Sequence, residues 1–221
     1  MRRRARIMDV AIVPAGRSFS QLGILVLDGS ASMAEEGEGK ITKAQMVSTA
    51  VREMLTRFRR SPYRQNFFFA VVACREQASV HTPVTPAEQI DDGADYDPTR
   101  HHGGRTDIGP GLEEAQRIAG QFLRAAPDDL VSSVVIVVVS GGVDVSPART
   151  LRIAREIRRD PSTTICTTFL AVPGDADRET ADRLLALASD PATGFQSISG
   201  PDALLEFFIA CVSSGTKLAI A

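Results

Sequence analysis

Cysteine, histidine, long apolar runs and excess charge are all scarce in this chain, and each shortage removes a class of function. Its 221 residues hold three cysteines, Cys74, Cys166 and Cys211, far apart in apolar surroundings. None has the paired spacing of a zinc ligand set or a redox motif, so they read as buried reduced thiols. Of the three histidines, His81 and the adjacent His101 and His102, none falls late in the chain where an α/β-hydrolase keeps its base. A formal charge of −2 leaves no electrostatic footprint for nucleic acid. No stretch is long and apolar enough to span a bilayer. The opening Met1-Arg2-Arg3-Arg4 has the charge of a leader peptide, but Asp9, Pro14 and Arg17 interrupt any apolar segment behind it. A cytoplasmic location is expected.

What the chain does have is the composition of one globular domain, 43% hydrophobic and 24% charged, long enough to bury a core without staples. Apolar runs predict strands at 67–74, 131–139, 163–172 and 195–198, with 131–139 expected to be the most buried, and a short edge strand at 78–85. Helical spacing predicts helices over 41–60, 109–126, 147–159, 178–189 and 201–211, and the aperiodic stretch 88–105 is a long loop. Alternation of this kind implies an α/β fold: a Rossmann-like three-layer sandwich, its central sheet mainly parallel, with helices on both faces. Ligands of such sheets bind at the carboxyl ends of the strands.

At one such end the run Gly23-Ile24-Leu25-Val26-Leu27 stops at Asp28 and is followed by Gly29-Ser30-Ala31-Ser32. A carboxylate and two hydroxyls in alternate positions aim three oxygens at one point, which suits a small hard cation such as Mg2+. The competing account makes them turn formers and a helix cap.

The segment Asp28-Gly29-Ser30-Ala31-Ser32 resembles the Asp-x-Ser-x-Ser signature of the von Willebrand factor type A family, and Gly103 to Leu112, with Thr106, is similar to that family's threonine loop. The resemblance implies a domain over 21–213, preceded by an arm, 1–20, and followed by a tail, 214–221. It further implies a metal-ion-dependent adhesion site holding Mg2+ or Mn2+, with Ser30, Ser32 and Thr106 bound directly and Asp28 directly or through water. The open coordination position takes a carboxylate from a protein partner. Such a domain, of bacterial style here, binds rather than catalyses.

The third loop departs from the pattern. Where the family carries an aspartate, this chain reads Ser140-Gly141-Gly142-Val143-Asp144, with Gly141 in the acidic position. One carboxylate fewer means a more weakly held ion. Asp144 is either a replacement ligand or a turn residue; Asp107 is either a ligand or the cap of the following helix, with Glu113 and Glu114 in its first turn. Two other functions stay open: a metal-free scaffold for protein assembly, and a Ser-dependent hydrolase, although Gly29-Ser30-Ala31-Ser32 lacks the second glycine of a nucleophile elbow. The arginines at 149, 152, 155, 158 and 159 form either a docking stripe for an acidic partner or a solvated face. The acidic loop Glu35-Glu36-Gly37-Glu38 either attracts cations or keeps the surface soluble.

Overall fold

Six strands pair in the order β3-β2-β1-β4-β5-β6 in a computed structural model that describes residues 19–36, 40–100, 104–171 and 177–214. The strands are β1 (Phe19–Asp28), β2 (Phe67–Cys74), β3 (Ala78–Pro86), β4 (Val131–Ser140), β5 (Thr163–Leu170) and β6 (Phe195–Ile198). The helices are α1 (Lys43–Arg60), α2 (Gly109–Ala125), α3 (Pro147–Ile157), α4 (Arg178–Leu187) and α5 (Pro201–Ser214). All neighbours run parallel except β3, which turns back on β2 as an antiparallel edge with register shifts. Pro83 is tolerated there because an edge strand has a side that needs no N–H donor.

Right-handed crossovers decide which helix covers which face. From β1 the chain moves one way across the sheet through α1; from β4 it moves the other way through α3 and α4. Accordingly α1 and α5 pack on one face around Leu25, Leu27 and Phe69. Helices α2, α3 and α4 pack on the other around Ile24, Val26 and Ile136. The reversal of direction falls between β1 and β4, so their carboxyl ends, Asp28 and Ser140, flank the crevice where ligands of such sheets sit.

The strand most completely enclosed is β1, not β4, whose first residue, Val131, is 56% exposed. The apolar run hid the difference, because β1 begins four residues earlier than Gly23 with polar side chains that are nevertheless buried. Gln21 is one of them, and its amide donates to the carbonyl of Val212 in α5.

Two close approaches seat the helices near the site. A Cβ on Gly111 would lie 2.7 Å from both Cys74 Cβ and Val26 Cγ1, so only glycine lets the first turn of α2 rest on the ends of β1 and β2. At the start of α1, Thr42 and Gln45 form a reciprocal capping box. The arm through residue 18, Gly37, Glu38, His101, His102, Gly103 and the tail beyond residue 214 lie outside the described residues.

Candidate metal centre

Three strand-end segments meet above β1 and β4, held first by their backbones. The Gly29 amide donates to the Cys74 carbonyl at 2.8 Å, Ala31 N to Gly104 O at 3.1 Å, and Val145 N to Thr106 O at 2.9 Å. After Asp28 the chain makes a single 3-10 turn, Ala31–Ala34, which swings Ser32 back over Ser30. Sequence reasoning left this turn unread.

The side chains then converge. Thr106 Oγ1 lies 2.8 Å from Ser30 Oγ, and Ser30 Oγ lies 2.9 Å from Ser32 Oγ. Asp28, almost fully buried, accepts the Ser30 amide at 2.9 Å on one oxygen and the Ser140 hydroxyl at 2.7 Å on the other, with Thr106 Oγ1 at 3.3 Å. Ser140, overlooked as a site residue, ties the third loop to the first; its place just before the missing acid was the available signal.

Around an octahedral Mg2+ with bonds of about 2.1 Å, adjacent ligand oxygens stand about 3.0 Å apart. Ser30 Oγ stands close to that spacing from both Thr106 Oγ1 and Ser32 Oγ, so the donor set fits a small hard cation. In charge the fit is lean. Asp28 is the sole carboxylate among these residues, and no group of three or more His, Cys, Asp or Glu suited to a metal occurs among the described residues.

Asp144 and Asp107 serve their turns. Asp144 accepts the Ser146 amide at 3.1 Å, and Asp107 accepts the Gly109 amide at 3.2 Å from one position before the helix cap, Ile108. Glu113 and Glu114 fall beyond the first turn of α2 and pair with Arg149 and Arg117. Both aspartates and Asp28 still contribute to the local field: burial first, then the charges of Asp28, Asp144 and Asp107, push the Cys74 thiol well above its ordinary value.

Burial, reinforced by Asp144, also holds the Asp107 carboxyl above its ordinary value, against the Gly109 amide and Arg149. A carboxyl raised in the folded state contributes its full stability below its unfolded value and loses it as pH climbs through the folded one. Asp107→Asn keeps an oxygen for Gly109 and removes the charge. In chelator, its melting temperature should exceed that of the wild type near neutral pH, and the gap should close as pH falls below the carboxylate range.

Gly141 does not face the hydroxyls. A Cβ there would meet Lys43 Cδ at 2.8 Å and Met33 Sδ at 3.1 Å, whereas a Cβ on Gly142 would strike Ser32 Oγ at 2.4 Å and Thr106 Oγ1 at 2.7 Å. The main chain of Gly142 therefore closes directly on the cluster. At the mouth stand Arg105 and the exposed Val143 and Val145.

The von Willebrand factor type A domain family matches residues 24–143, more than half of the chain, from inside β1 to the third loop. The chain belongs to the von Willebrand factor type A family. No curated protein sequence matches it. Among solved structures it is similar to the pilus adhesin SpaC of Lactobacillus rhamnosus GG, with 12% identity, a TM-score of 0.68, and 91% of this chain covering 31% of that one. It is also similar to proximal thread matrix protein 1 of the mussel byssus, whose structure has a zinc-occupied MIDAS motif, with 18% identity, a TM-score of 0.59, and coverage of 89% and 46%. A third is the von Willebrand domain of the type V pili tip protein Mfa5 of Porphyromonas gingivalis, with 11% identity, a TM-score of 0.64, and coverage of 92% and 96%. The chain thus spans about a third of the adhesin and about half of the byssus protein, and at these identities the likeness is one of fold.

Features outside the site are mostly spent internally. Arg149 pairs with Glu113 at 2.7 Å, Arg152 with Glu156 at 3.0 Å, and Arg158 donates to the Ala188 carbonyl at 2.8 Å, so three of the five arginines are engaged within the domain. His81 bonds Thr82 Oγ1 at 3.0 Å and its ring lies 5.2 Å from that of Tyr96, tilted by 47°. The three cysteines are buried and free.

Proposed function

We propose that this von Willebrand factor type A domain is a binding module, not an enzyme, that captures an Asp or Glu side chain of a partner protein through Mg2+ or Mn2+. The observation that carries the reading is the convergence of Thr106 and Ser32 on Ser30, at 2.8 and 2.9 Å, close to the edges of a hard-cation coordination shell. Bound there, the ion supplies a positive centre for a carboxylate oxygen. Ser30, Ser32 and Thr106 present hydroxyl oxygens; Asp28 supplies negative charge and, through Ser140, fixes the third loop. Arg105 at the mouth favours an acidic visitor, and Val143 and Val145 offer apolar contact to its neighbours. A divalent ion at the MIDAS motif of the byssus protein supports the chemistry. The buried free thiols suit a reducing compartment, and a cytoplasmic location is part of the proposal.

Peptides bearing Asp or Glu, selected on the protein in Mg2+, should elute with chelator and fail to bind Asp28→Asn. Selection that survives chelator unchanged would overturn the reading in favour of a metal-free scaffold. That second reading draws on the lysine, rather than a carboxylate, packed beside Gly141.

A further inference from the structure

We propose that Lys43 sets the ion affinity of this site, holding it low until a partner carboxylate arrives; the inference rests on the ion-site reading above. Lys43 opens α1, where a charged residue ordinarily faces water, yet it is only 3% exposed. Its ammonium donates to Glu35 Oε2 at 2.9 Å and to the Gly141 carbonyl at 3.0 Å. The stem occupies the room that a side chain on residue 141 would need, with Cδ at 2.8 Å and Nζ at 3.3 Å from the Cβ position. Lysine at 43 and glycine at 141 are therefore one arrangement. The third loop presents no carboxylate at residue 141, and a positive charge lies where a side chain there would run.

Glu35 offsets that charge only in part, because its side chain is 57% exposed and water screens it. The ammonium is buried and screened less. A fixed cation bonded to the Gly141 carbonyl, next along the chain to the Gly142 backbone that closes on the hydroxyls, disfavours a second cation, and a carboxylate entering from outside supplies negative charge. Ion and carboxylate should consequently strengthen each other's binding by the same factor, as linkage requires.

Calorimetric titration of the full chain with Mn2+ tests this. Lys43→Met, which keeps the bulk of the stem, should bind Mn2+ about tenfold more tightly than wild type. Lys43→Met combined with Gly141→Asp should bind tighter still, whereas Gly141→Asp alone should gain little because the new acid meets the lysine. Glu35→Gln, a surface change that threatens no packing, should weaken binding a few-fold by leaving the ammonium unopposed. Equal or weaker binding by a folded Lys43→Met, or Glu35→Gln indistinguishable from wild type, overturns the role of Lys43 while the ion site stands. Absence of Mn2+ heat in wild type, Lys43→Met and the double variant alike overturns the ion-site reading itself.

Discussion

Asp28→Asn should bind Mn2+ more than about a hundredfold more weakly than wild type, yet melt close to it in chelator. The amide matches the carboxylate in size and keeps an oxygen for the Ser30 amide or the Ser140 hydroxyl, so the loops retain their anchor. What it removes is the sole negative charge among the converging oxygens. Asp28→Ala should lose both properties. It leaves the Ser30 amide and the Ser140 hydroxyl without their buried acceptor, at about 2 kcal/mol beyond the ion effect. Paired titrations and thermal melts of the two variants separate charge from scaffolding. If Asp28→Asn retained the ion within about threefold of wild type, the ion would have to bind elsewhere, since losing a charged ligand at a hard-cation site cannot cost so little.

The second large effect concerns the core between the sheet and α1. Phe69 in β2 stands opposite Gly23 of β1, and its ring fills the space that Gly23 leaves open, 3.0 Å from where a Cβ would be. The ring is fully buried and meets Phe58 of α1 edge to face at 5.2 Å. Phe69→Ala should destabilise the domain by about 4 kcal/mol, because glycine opposite and the rigid sheet beside it give the cavity little to collapse onto. The melting temperature should fall by roughly 10 °C. A loss below about 1.5 kcal/mol in denaturant would show that α1 and α5 repack over the gap.

Several elements were legible because their signals are local. The eight residues of β2 are all apolar or nearly so and are bounded by the polar Asn66 and Arg75, so both limits, Phe67 and Cys74, could be placed. The helix that becomes α1 showed its buried face in Val47, Val51, Met54, Leu55 and Phe58, and Ser61-Pro62 marked its end. Asp28, Ser30, Ser32 and Thr106 were legible as chemistry, since their residue types and spacing repeat a family pattern. The true start of β1 was not, because Ser20 and Gln21 read as surface residues and become buried only once β4 and α5 cover them. Asp144 and Asp107 were undecidable in sequence, as the same residue type serves turns and ions equally well.

By itself the sequence determined the succession of strands and helices and the oxygen-rich character of the strand-end loops, because periodicity and residue type act over a few neighbouring positions. Only the tertiary structure decided that 78 residues of separation between Asp28 and Thr106 close to hydrogen-bonding distance. It also decided that Lys43, 98 positions from Gly141, fills the room beside it. The reason is geometric: crossover handedness and sheet order choose which distant segments share a crevice, and a buried charge becomes evident only when the groups that neutralise it have been brought alongside.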